Sequence, residues 1–143
     1  MKVDTKRRAA LAAIAIAGVA LSPLAHAQDP RASEAQNAAR AWLAIADKLD
    51  AEASYEAAGP RFRQALTPSR WNDAVKLIRF PLGALIQRTV NQSTFTTKLP
   101  GQPDSDYALI AYRTSWANKS VGRELVTLER VGGKWQVVGY VIQ

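Results

Sequence analysis

The chain of 143 residues has no cysteine and only one histidine. Without cysteine there can be no disulfide, thiolate metal ligand, thiol nucleophile or lipid-modified N-terminal cysteine. The histidine, His26, lies in the stretch LAHAQDP, so its neighbours decide whether it is available for chemistry. Ahead of it stand Lys2, Lys6, Arg7 and Arg8, an apolar run from Ala9 to Leu21, a helix-breaking Ser22-Pro23, and the small residues Ala25 and Ala27. A basic segment, an apolar segment and an A-x-A site together predict a signal peptide over residues 1–27, cleaved after Ala27, and His26 leaves with it. The apolar run falls short of the roughly 18 to 20 residues a spanning helix needs, and no second run of that length follows. The expected mature chain is therefore soluble and periplasmic or secreted. Lys6 precedes the arginine pair where a twin-arginine signal has Ser or Thr, and Ala10 stands where an aromatic is usual. This favours the general secretory route without closing the other.

Loss of the only histidine excludes more. Zinc and copper sites, histidine-ligated haem and Ser-His-Asp catalysis all lack an indispensable residue, so neither a metal nor another cofactor is expected. There is no glycine-rich phosphate loop, because Gly132-Gly133 stands alone between two strand-like runs and reads as a hairpin turn. The net charge of +7 is partly a targeting effect. Cleavage would leave 15 basic and 11 acidic residues, a formal +4, in 116 residues. The remaining Lys and Arg are scattered singly among acids, which argues against a nucleic-acid partner. That length makes one domain, residues 35–143, behind a flexible leader at 28–34.

Within this domain the periodicity changes once. Ser33 with Gln36 resembles a capping box, and Ala38, Trp42, Ile45 and Leu49 share one helical face, predicting a helix from about Ser33 to Lys48. Asp50 is placed to cap a second helix, Ala51 to Ala58, which Gly59-Pro60 stops. Arg61 to Leu66 adds a turn. Thr67-Pro68 opens a third helix with Trp71, Val75 and Ile78 on one face, ended by Pro81. From Gly83 onward β-propensity dominates. Strands are expected at about Ala84 to Leu99, long enough to need a bulge, then at Tyr107 to Trp116, Arg123 to Val131 and Lys134 to Ile142. Helices followed by strands is the order of an α+β fold, with N-terminal helices packed on a curved antiparallel four-stranded sheet. On the last strand, Trp135, Val137 and Val141 alternate with Val138, Tyr140 and Ile142. Both faces are apolar, so a homodimer or an envelope partner on the outer face is one expectation, and cover by this chain's own segments is the other.

For acid–base work only carboxylates, Tyr, Lys, Arg, Ser and Thr remain. Asp47, Asp50, Glu52 and Glu56 read as caps and solvated faces of a helix junction. Asp104 and Asp106 lack the ligand series of a calcium loop. Asp73, Glu124 and Glu129 are the other carboxylates of the domain, and none is assigned a catalytic role. Tyr112 and Trp116 share strand parity with Ile110 and either line a pocket or pack on helices; Tyr140 is similar. Arg88 and Arg113, on neighbouring strands, are placed to hold an anionic ligand. These five, Tyr112, Trp116, Tyr140, Arg88 and Arg113, are the candidate ligand-binding residues.

The segments AARAWLAIAD, RWNDAVKLIRFPLGALIQRTV, YRTSWANK and GGKWQVVGYVIQ, in that order, resemble a bacterial secreted family catalogued as domain of unknown function 4019 (DUF4019). The likeness spans about Ala35 to Ile142 and rests on Trp42, Trp71, Pro81-Leu82-Gly83, Tyr112 to Lys119, Trp135 and Gly139-Tyr140. It implies no activity. The element order also resembles the nuclear-transport-factor-two-like (cystatin-like) cone, in which a curved sheet wraps a long helix around a pocket. Enzymes of that superfamily, ketosteroid isomerase among them, keep an Asp base and Tyr or Asp oxyanion donors there. No residue of this chain matches those positions one by one, and many proteins of the fold only bind. The expected function is a non-catalytic binding or interaction module for a small molecule or envelope protein. The alternatives are an acid–base isomerase, dehydratase or hydrolase using a pocket carboxylate with Tyr112 or Tyr140, and a structural homodimer.

Overall fold

The computed structural model describes residues 29–143, so the expected signal peptide lies outside the described residues. Helix α1 runs Pro30–Ala46, α2 Ala51–Ala57, α3 Pro60–Ala65 and α4 Pro68–Ala74. The first begins earlier than the Ser33 pattern suggests and takes in part of the stretch read as a leader. Asp29 caps it by accepting the Arg31 amide, and Pro30 supplies the fixed φ favoured at the first helical position. Asp50 and Thr67 cap α2 and α4 as their sequence positions imply, accepting the amides of Ala53 and Arg70. Between α1 and α2, Leu49 takes a left-handed φ of 61°, uncommon for a branched side chain, and packs its partly buried side chain against the core.

At its C-terminal end α4 widens into a π-helical turn, Val75–Arg79, in which the Phe80 amide donates to the Val75 carbonyl. This turn corrects the sequence-based face. Each residue of an i→i+5 turn advances by less than the ~100° of an α-helix. Ile78 is thereby carried outward to 53% exposure and Arg79 inward to 5%. A single 3₁₀ turn, Phe80–Leu82, leads into the sheet.

Strands β1 (Leu85–Thr96), β2 (Tyr107–Trp116), β3 (Lys119–Val131) and β4 (Lys134–Ile142) form an open antiparallel meander in sequence order. The long first strand carries two register shifts, at Leu85/Gln87 and Val90/Gln92, which supply the bulging its length required. β3 starts four residues earlier than its β-propensity indicates, because a two-residue turn at Ala117-Asn118 pairs Lys119 with Trp116. Gly132 and Gly133 both take positive φ, 57° and 80°, as a tight two-residue hairpin requires. Gly122 has a different cause: the Trp116 ring lies where a β-carbon would stand.

A bulge also changes the parity of the last strand. Thr127 pairs with Gly139 and Leu128 with Val137, so Val138 is an extra residue. Simple alternation fails there, and Trp135, Val137 and Tyr140 all face the helices while Val141 is 48% exposed. The core lies between α1, α4 and the inner face of the sheet. It is an aromatic cluster of Trp42, Phe62, Trp71 and Tyr140, with Trp42 and Tyr140 ring centres 5.2 Å apart. Buried Ser54 accepts both nearest indole N–H groups, Trp42 at its carbonyl and Trp71 at its hydroxyl, each at 2.9 Å. No described helix is long and apolar enough to cross a membrane.

Candidate functional site

β2 and β3 turn alternate residues toward α1: Ile110, Tyr112, Thr114 and Trp116 on one, Glu124, Val126 and Leu128 on the other. One of these inner positions is a carboxylate. The Glu124 side chain is fully buried, and a buried charge persists only if it is paired and hydrogen-bonded. The neighbouring elements supply that. Arg88, paired with Thr114 and on its face of β1, donates Nε to Glu124 Oε1 at 2.6 Å and Nη2 to Oε2 at 3.1 Å. The Thr114 hydroxyl donates to Oε1 at 2.5 Å, and the Tyr140 hydroxyl donates to Oε2. Each carboxylate oxygen thus accepts two donors.

Arg88 continues the network to the end of α1. Its Nη1 and Nη2 donate to Asp47 Oδ2 and Oδ1 at 2.7 and 2.9 Å. The buried Arg79 donates Nη1 to the Gly83 carbonyl and approaches Asp47 with Nη2 at 3.4 Å, while its guanidinium stands 5.9 Å from the Trp116 ring. Two carboxylates and two guanidiniums balance in charge, so the cluster sits in the core without net charge. Burial alone would lower the Arg88 pKa, but the hydrogen bonds to Asp47 and Glu124 outweigh it and the net direction is upward. Burial first, then the charge and hydrogen bond of Glu124, push the Tyr140 phenol well above its ordinary range. Burial likewise pushes Tyr112 up to about 12. The Tyr112 hydroxyl has no hydrogen-bond partner among the described residues.

Beside this network, between α4 with its π turn and the end of β4, lies a half-open cleft of about 280 Å³. Trp71, Val75, Ile78, Val141 and Ile142 give it an apolar lining, and Arg79 and Tyr140 border both the cleft and the ion network. No three potential ligand side chains converge on a metal position among the described residues.

The sequence-based candidates therefore divide. Arg88 and Tyr140 meet on Glu124, and Tyr112 lies on the same inner face. Trp116, 1% exposed, packs against Gly122. Arg88 and Arg113 do not form one anion site: Arg88 points inward with Thr114, whereas Arg113 is paired with Thr89 on the outer face and is exposed. Glu124, Asp47 and Arg79 complete the network without standing among those candidates. Glu124 left a trace, since it begins the alternation Glu124, Val126, Leu128, and a carboxylate in an inward row implies a buried partner. Asp47 left none, because a helix-end carboxylate looks the same whether it caps or reaches across to a sheet.

Residues 38–140 match the profile of a family described as "Protein of unknown function (DUF4019)". No curated protein and no solved structure matches the chain.

Proposed function

The chain belongs to DUF4019, a family whose description assigns no activity, and we propose from the geometry that it is a non-catalytic binding module for a small, largely apolar ligand. The observation that carries this reading is the cleft of about 280 Å³ between α4 and β4, lined by Trp71, Val75, Ile78, Val141 and Ile142. Its apolar lining with polar groups at one border is the usual character of a small-molecule pocket. An open four-stranded antiparallel sheet with α1 packed on its inner face is also in keeping with the nuclear-transport-factor-two-like cone, and we read the fold that way. Residues 1–27 read as an export signal, and on this reading the module acts in the periplasm or outside the cell.

The acid–base alternative requires a carboxylate beside a tyrosine, and Glu124 with Tyr140 is such a pair. Glu124, however, has both oxygens filled by Arg88, Thr114 and Tyr140. A general base needs a free lone pair within reach of substrate, so this pair favours a structural role. The homodimer built on outer sheet faces draws less support, because stacking would bury the exposed Arg113 and Arg123 of both copies without counter-ions.

Ile78→Trp tests the binding reading. Ile78 is 53% exposed, so the larger ring can fill the cleft without entering the core. The expected result is loss of binding of an apolar fluorescent probe, 1-aminoanthracene, with an unchanged melting temperature. Probe binding equal to that of the wild type would overturn the assignment.

A further inference from the structure

Arg113 on β2 and Arg123 on β3 are directly opposite each other in the register. The backbone of Arg123 exchanges both hydrogen bonds with Gln143, at 2.9 and 2.8 Å. Its N–H and C=O are thus turned away from β2, which makes Arg113 and Arg123 a non-hydrogen-bonded pair. At such positions the strands are closest, about 4.5 Å between α-carbons, and the two side chains leave the sheet together. Like charges directly opposite on one face are destabilising. Among the described residues no carboxylate oxygen lies within 4.0 Å of either guanidinium, although seven other ion pairs form. Every other arginine of the sheet is engaged: Arg88 with Asp47 and Glu124, Arg130 with Glu34.

The pair borders a depression of about 460 Å³ that also holds Gln87, Thr89, Ser120 and the 83% exposed Val121. On its other side a second depression of about 310 Å³ adds Asn91 and Gln92. Hydroxyl and amide donors thus flank two adjacent guanidiniums.

We propose that Arg113 and Arg123 form an oxyanion site on the outer face of the sheet that takes the phosphate group of a larger organic ligand. Two planar guanidinium forks rising side by side can each donate two hydrogen bonds to one tetrahedral oxyanion, and its charge relieves their repulsion. The depression is several times larger than a phosphate group, and Val121 gives it an apolar edge, so the phosphate is one substituent of the ligand. A soluble phosphate ester and a phospholipid headgroup share this chemistry. The Arg113 and Arg123 side chains leave the sheet on the face opposite to the ion network, whose Glu124 reaches only the border of the second depression, and the site stands independently of the apolar cleft.

The test titrates the full mature chain with inorganic phosphate, against sodium chloride at matched ionic strength. In parallel it measures binding to phosphatidylcholine vesicles with and without phosphatidylglycerol. The expected result is a phosphate-specific rise in melting temperature, with backbone amide shifts at Thr89, Arg113 and Arg123, or binding confined to vesicles containing phosphatidylglycerol. A response to free phosphate alone identifies a soluble ligand, and a response to the anionic vesicles alone identifies a headgroup. Arg113→Gln and Arg123→Gln should each weaken whichever response is seen roughly tenfold. Arg113→Gln should also melt no lower than the wild type in phosphate-free buffer, because it removes the like-charge contact. Equal effects of phosphate and chloride with no preference for anionic vesicles, or variants that respond as strongly as the wild type, would overturn the proposal.

Discussion

Replacing Glu124 by Gln tests whether the buried ion network holds α1 to the sheet. The substitution keeps shape and removes charge. Glu124 accepts two donors on each oxygen, from Arg88, Thr114 and Tyr140. An amide offers one acceptor oxygen and turns an NH₂ toward two of those donors, so at least one buried donor loses its partner. Arg88 retains only Asp47 as a charged partner, in a side chain 12% exposed. Breaking a buried ion pair from one side costs about 3 to 5 kcal/mol. That is a large fraction of the roughly 5 to 15 kcal/mol expected for a domain of this size. Urea unfolding followed by tryptophan fluorescence should show the midpoint falling at unchanged slope. Arg88→Met should cost a similar amount, since it strands Glu124 and Asp47 together. The double variant should be at least about 1 kcal/mol more stable than the sum of the singles implies, because the pair is directly coupled. Single losses under about 1 kcal/mol that add without coupling would refute the network as a source of stability and reopen Glu124 as a group free for chemistry.

Ser54→Ala removes the hydroxyl that accepts the Trp71 indole; the orphaned buried donor should cost about 1 to 3 kcal/mol, seen in the same unfolding experiment. Tyr112→Phe should leave stability at neutral pH equal or higher, because its buried hydroxyl has no partner. The raised folded pKa of Tyr112 also makes its stabilisation fully present below the ordinary value near 10 and lost as pH rises toward about 12. The Phe variant should therefore lose stability less steeply over that window in alkaline unfolding. On the acid side, the Arg61 hydrogen bonds hold the Glu129 carboxyl below its ordinary value of 4.5. Its contribution is present above that value and lost as pH falls through the lower folded value, so Glu129→Gln should flatten this part of the acid limb.

Much of the architecture is legible because it depends on local chemistry. Caps at Asp50 and Thr67, the proline at Pro68, the glycine pair at the last hairpin and the limits of β2 and β4 follow from backbone preferences of a few adjacent residues. Two departures fall where one residue too many enters a regular element. The π turn at Val75–Arg79 exchanges Ile78 for Arg79 on the inner face, and the bulge at Val138 puts Tyr140 on the same side as Trp135 and Val137. Both insertions are settled by what the sheet and helices must pack against, and no neighbouring residue announces them.

The sequence by itself determined the α+β order, the absence of cysteine and histidine chemistry from the domain, and the membership in DUF4019. Tertiary structure alone decided that Arg88 turns inward to Asp47 and Glu124, 41 and 36 residues away in the chain. It also set Arg113 against Arg123 on the opposite face. Adjacent strand positions point to opposite faces, and an ion pair forms only with the charges that strand pairing and helix docking bring alongside. Which arginine is neutralised and which remains open to a ligand is therefore decided by the face it takes in the sheet and by what packs on that face.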